Sequence, residues 1–173
     1  MKHILLAMSI LVLSACGGSG NGTDASIDDS STGTDSFTLQ NVRFDGVDYY
    51  EGEQVTVIED TRFEVQWVSP TSASYKIDLY LSTNGERYSD NNKIVELKCG
   101  SDSFSLCPNA TAEVQCEISN NSLSCFIGDD SLGNEPFQSE DLSSLGFIIK
   151  GCDALSNCDV KTFNLSVQQN TDE

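Results

Sequence analysis

Residues 112–127 read AEVQCEISNNSLSCFI, a pattern that folds back on itself. Asn120 and Asn121 at its centre tolerate left-handed backbone, which a two-residue hairpin turn requires. With the turn placed there, Ser119 faces Ser122, Ile118 faces Leu123, Cys116 faces Cys125 and Val114 faces Ile127. One side of the hairpin is then apolar or cystine, while Gln115, Glu117, Ser119, Ser122 and Ser124 make the other side polar. Phe126 stands alone on the polar side, as a contact patch or as part of a second core layer. The register puts the two cysteines at a non-hydrogen-bonded pair, where the Cα atoms lie close enough for a bridge. A half-buried antiparallel sheet carrying a Cys116–Cys125 disulfide is expected.

The same two-residue period extends outward from this hairpin. Residues 37–44 (FTLQNVRF) and 54–58 (QVTVI) read as the first strands. In 61–68 (TRFEVQWV), Phe63, Val65 and Trp67 share one face and Arg62, Glu64 and Gln66 the other, before Ser69-Pro70 breaks the pairing. In 75–81 (YKIDLYL), Tyr75, Ile77, Leu79 and Leu81 point inward and Lys76, Asp78 and Tyr80 outward. Residues 82–85 (STNG) are turn chemistry, and 93–99 aligns Val95, Leu97 and Cys99 on one face. Downstream, 128–144 (GDDSLGNEPFQSEDLSS) is polar and reads as a long loop, with at most one helical turn at 139–144. Residues 145–152 (LGFIIKGC) form a near-continuous apolar run, as a strand buried on both sides would. Phe163, Leu165 and Val167 alternate in the last strand, 158–167. The fold class is therefore all-β, an antiparallel β-sandwich over 37–168, with a short disordered tail at 169–173.

Seven cysteines are an odd number. Setting Cys16 aside leaves Cys99, Cys107, Cys116, Cys125, Cys152 and Cys158, an even set that reads as a disulfide framework of an oxidising compartment. Cys152 and Cys158 would staple the hairpin loop 153–157, and Cys99 would pair with Cys107 around a Gly/Ser/Asp loop. Three disulfides are expected. With 27 acidic residues against nine basic ones, the formal net charge is −18. That balance argues against a nucleic-acid partner, since phosphate binding needs clustered lysine and arginine. It also argues against charge-driven attachment to an anionic bilayer.

The chain opens with Lys2 followed by ten uncharged, mostly apolar residues, 4–13 (ILLAMSILVL). As a helix these rise only about 15 Å, half of the roughly 30 Å of hydrocarbon in a bilayer. The layout is that of a secretory signal. Leu13-Ser14-Ala15-Cys16 resembles the lipobox of bacterial lipoproteins, which implies cleavage after residue 15 and a lipid on Cys16. In Gram-negative lipoproteins the following residue acts as an address, and Gly17 implies the outer membrane. Residues 17–36 (GGSGNGTDASIDDSSTGTDS) have too little apolar surface to order themselves and read as a tether. The expected order is signal 1–15, lipidated cysteine and tether 16–36, then the sandwich, held in the cell envelope by its lipid.

The run Phe63-Glu64-Val65-Gln66-Trp67, then Ser-Pro, then Tyr75-Lys76-Ile77, resembles strands B and C of fibronectin type III-like domains. Residues 147–153 with Cys158-Asp159 are similar to the F–G hairpin of bacterial versions that carry a cystine there. The resemblance covers about 45 residues. It departs where the Leu-x-Pro expected before a strand-F Tyr is replaced by Leu145-Gly146-Phe147, and where 86–144 is longer than the family needs. A more general immunoglobulin-like sandwich fits equally well. Either fold carries many functions and specifies none.

His3, the sole histidine, lies in the signal, so a mature chain lacks Ser-His-Asp and Cys-His catalysis and histidine-based metal sites. With the cysteines bridged, no thiolate nucleophile remains. A glycosidase-type carboxylate pair is the catalytic arrangement this composition leaves open. For a cofactor, calcium alone has a candidate set: Asp129, Asp130, Asn134 and Glu135, oxygen-bearing residues in a turn-prone segment without EF-hand spacing. Trp67 is assigned to the core, whereas Tyr49, Tyr50 and outward Tyr80 are placed for exposed contact, such as with a glycan. A non-catalytic binding or interaction module is expected, with an envelope protein or glycan as partner. A structural envelope component is the alternative.

Overall fold

A computed structural model describes residues 37–68, 74–83, 85, 87–100 and 114–170. The expected signal, Cys16, the tether, Ser69-Pro70, Cys107 and the last three residues lie outside the described residues. Within them the chain is all-β, two sheets packed face to face.

The first sheet contains β1 (Asn41–Phe44), β2 (Val47–Tyr49), β4 (Arg62–Val68), β7 (Val114–Ser119), β8 (Ser122–Ile127) and β9 (Asp130–Pro136), in the order β2-β1-β4-β7-β8-β9. The second contains β3 (Gln54–Ile58), β5 (Tyr75–Ser82), β6 (Lys93–Cys99), β10 (Gly146–Asp153) and β11 (Cys158–Gln168), in the order β3-β11-β10-β5-β6. A 3-10 helix at Ser139–Ser143 leads from the first sheet back to the second, the single turn expected there.

The central hairpin has the expected register. Asn120 and Asn121 take φ of 51° and 56°, and Cys116 sits opposite Cys125 between the Ile118–Leu123 and Val114–Ile127 pairs. The two Cα atoms are 4.1 Å apart, and both cysteines are fully buried. The Cys152–Cys158 bridge closes the β10–β11 hairpin at an equivalent pair. These are two of the three expected disulfides. Cys99 is buried at the end of β6, and its expected partner Cys107 lies outside the described residues.

The core lies between the sheets. Val42, Phe44, Phe63, Val65, Trp67 and the Cys116–Cys125 bridge face Ile77, Leu79, Phe147, Ile149, Phe163 and Leu165. Phe44 is its hub: its ring meets Phe147 and Phe163 edge-on at 5.7 and 5.1 Å, joining the two sheets, and Phe63 at 6.3 Å within its own. Such edge-to-face pairs add about 0.5–1.5 kcal/mol beyond the area buried. Phe37 fills the space left by Gly151, where a Cβ would come within 2.3 Å of its ring.

Three expectations need correction. The sandwich is not wholly antiparallel, because β3 runs parallel to β11. After β2 the chain crosses to the second sheet, and Gly52 N–H and the Glu53 carbonyl pair with β11 at 2.7 and 3.0 Å, fixing that direction. The long loop at 128–144 is largely strand: β9 pairs with β8 across Ser122–Pro136 to Ile127–Asp130. Its polarity follows from its edge position, where few side chains meet the core. The first strand is shorter than expected, starting at Asn41, and Asp45-Gly46 turn it into the unanticipated β2.

Candidate functional site

The outer side of the second sheet gathers the polar chemistry of the described residues. Strand alternation and register put Lys76, Asp78, Tyr80 and Ser82 of β5 on this side, with Glu96 and Lys98 of β6, Ile148 and Lys150 of β10, and Val160, Thr162 and Asn164 of β11. Tyr80 was expected outward and exposed. It does point away from the core, but it is buried, because the segment after β5 folds over it and brings Tyr88 within 5.5 Å, ring to ring. Lys150 stands over the Tyr88 ring at 4.5 Å, a cation–π contact that helps hold Tyr88 in place.

Under this cover Asp78 is only 2% exposed. Its Oδ2 accepts from the Tyr80 hydroxyl at 3.1 Å and from Lys76 Nζ at 3.0 Å, while Oδ1 is buried with no partner. Burial first, and then the Asp78 charge and hydrogen bond, hold the Tyr80 phenol well above the ordinary tyrosine range. The bond to Asp78 raises Lys76. At the strand edge, Lys93 Nζ reaches Glu96 at 3.1 Å, which lowers Glu96 and raises Lys93. The acids of this face are thus already engaged by lysines.

Beside the Tyr88 cover lies an open depression of about 520 Å³, within the range of small-ligand sites. Gly146, Ile148 and Val160 form its sheet floor, and Ser82, Ser144, Thr162 and Asn164 add polar groups. Arg87 and Tyr88 come from the covering segment. Tyr88 is 40% exposed. Asn164 is oriented by its Nδ2, which donates to the Gly52 carbonyl at 2.9 Å. Among the described residues no Asp or Glu lines the depression. It offers shape, an aromatic ring and hydrogen bonds.

The other expected sites are dispersed. Asp129 lies in the β8–β9 turn, while Asp130, Asn134 and Glu135 lie on β9. At about 3.3 Å per residue, Asp130 and Asn134 stand roughly 13 Å apart, too far to share one ion. The turn signal of this segment was real, but it occupies two residues, and strand extension separates the remainder. Among the described residues no group of three acidic, histidine or cysteine side chains could hold a metal. Trp67 is buried as expected. Tyr50 is 78% exposed, whereas Tyr49 packs edge-on against Phe44 at 5.6 Å and serves the core. Phe126 is half-buried under the Arg62 guanidinium, 4.3 Å from its ring centre, and the same arginine donates to the Gly128 carbonyl at 2.9 Å.

Arg87, Tyr88, Thr162 and Asn164 were not singled out from sequence. No local motif marks them. They meet only because β5, β10 and β11 are neighbours and the chain after β5 turns back over its own strand. No protein-family model matches the chain, and no curated protein matches it in sequence.

Proposed function

We propose that this chain is a lipid-anchored protein of the cell envelope, whose β-sandwich is a non-catalytic binding module carried on a flexible tether. The observation that carries the binding role is the depression on the outer side of the second sheet, apolar at its floor, bordered by polar groups and an aromatic ring, and free of lining carboxylates among the described residues. A rigid scaffold supports it: the Cys152–Cys158 bridge joins β10 and β11, the strands of its floor, and the core joined through Phe44 ties them to the first sheet. The anchor rests on the lipobox-like Leu13-Ser14-Ala15-Cys16 and the Gly/Ser/Asp run behind it. Gly17 favours the outer membrane. Strand order supports an immunoglobulin-like reading, with β4 between β1 and β7 in one sheet and β10 between β5 and β11 in the other.

The test is cross-linking in intact cells followed by affinity recovery, comparing the native chain with Cys16→Ser. Membrane fractionation of the native form alone, together with a reproducible envelope partner that requires the anchor, is the expected result. A native chain that fractionates as soluble would overturn the anchor. Equal recovery of one partner by both forms would leave a binding module that does not depend on lipid.

A further inference from the structure

The chain carries three acids for every base, yet the bases are not spread evenly. Five of the nine lie on the outer side of the second sheet or its cover: Lys76, Lys93, Lys98, Lys150 and Arg87. In so acidic a chain, Arg43, Arg62, Lys76, Lys93 and Lys161 each find a carboxylate within 4.0 Å. Arg87 has none among the described residues, and it lines the depression. Thr162 and Asn164 line it too, and neither the Thr162 hydroxyl nor Asn164 Oδ1 bonds to a described residue. A guanidinium, a hydroxyl and an amide oxygen therefore border one open space, beside a tyrosine ring held by Lys150.

Deepening the binding-module reading and resting on it, we infer that this depression binds an acidic saccharide, a hydroxyl-rich ring bearing a carboxylate. The guanidinium of Arg87 matches a carboxylate in planar, two-point geometry, a stronger contact than a neutral hydrogen bond. Thr162 and Asn164 take ring hydroxyls, and the exposed part of the Tyr88 ring borders the C–H side of the sugar. An apolar floor of Gly146, Ile148 and Val160 with polar groups at its border suits a sugar ring, which carries both C–H faces and hydroxyls. The net charge of −18 does not prevent this. At physiological ionic strength, charges beyond about 8 Å are screened, so the bases beside the depression dominate the local field.

Amide chemical shifts of the full-length protein, titrated separately with glucuronate and glucose, test the inference. The two probes differ only in the carboxylate. Saturable shifts at Ile148, Val160, Thr162 and Asn164 are expected, with glucuronate binding at least about tenfold more tightly, the worth of one charge-assisted bond. Arg87→Gln should abolish that preference without moving the melting temperature, since the Arg87 side chain bonds to no described residue and its backbone carbonyl, which accepts from Asn92 Nδ2 at 3.2 Å, is kept. Tyr88→Ala should weaken both sugars. Equal binding of the two sugars, no saturable shift with either, or a preference that survives Arg87→Gln would each overturn the inference. Absent saccharide shifts alongside anchor-dependent cross-linking would sink the saccharide alone and leave the binding module standing.

Discussion

The Cys116–Cys125 and Cys152–Cys158 disulfides allow a test of what core burial adds to a covalent staple. They close loops of similar size, with sequence separations of 9 for Cys116–Cys125 and 6 for Cys152–Cys158. On the chain-entropy relation these contribute about 2.6 and about 2.2 kcal/mol, a difference of only about 0.4. Their surroundings differ much more. Cys116 and Cys125 are fully buried in the inter-sheet core, whereas Cys152 is half-buried and Cys158 exposed. Replacing both members of a pair by alanine removes two sulfurs. In the core each loss is comparable to a buried methylene, roughly 1 kcal/mol. Cys116→Ala/Cys125→Ala should therefore cost about 4.5 kcal/mol and Cys152→Ala/Cys158→Ala about 2 kcal/mol. Urea unfolding followed by fluorescence of the single, buried Trp67 reads both values. The slope should steepen in each variant, because the unfolded chain is freed, so free energies must be extrapolated with separate slopes. Equal losses in the two variants, or a larger loss at the exposed pair, would refute the idea that burial separates them.

Phe44→Ala should destabilise by about 3–5 kcal/mol, since its ring joins both sheets; calorimetry would check it. Gly133→Ala places a Cβ 2.0 Å from the Ile94 carbonyl oxygen, and Gly151→Ala places one 2.3 Å from the Phe37 ring. Both should cost about 1–3 kcal/mol, with Gly133→Ala the worse because its obstacle is backbone; thermal melts of the pair give the order. Asp153 accepts from Leu155 N–H, Asn157 N–H and Asn157 Nδ2 at 2.8–2.9 Å, and the Asn157 side chain foremost holds its carboxyl below the ordinary aspartate range. A depressed carboxylate stabilises above its unfolded pKa and ceases to as pH falls through its folded one. The Leu155 and Asn157 amides should thus keep their shifts through the ordinary carboxylate range and lose them only below it. Loss at the ordinary aspartate midpoint would contradict that bonding.

Reading the chain locally was enough wherever local chemistry and core burial agreed. Asn120-Asn121 tolerate the left-handed backbone of a tight turn, and once it is placed, the alternation of Val114, Cys116 and Ile118 leaves one register that buries them all. The same logic reached Trp67 in the core and Cys152 opposite Cys158. It failed at β9, whose side chains mostly face solvent and so carry no period to read. It failed again at Tyr80, correctly aimed away from the core yet covered by a segment whose path no periodicity encodes. The candidate site falls wholly in this second class. Arg87, Ile148 and Asn164 come from three separate stretches, and whether they share a surface depends on which strands are neighbours. An all-β sandwich with stapled hairpins was therefore determined by the sequence itself, because turns and side-chain alternation act over a few residues. The parallel β3–β11 pairing, the cover over Asp78 and the depression beside it were decided only by tertiary structure, because each arises from contacts between segments far apart in the chain.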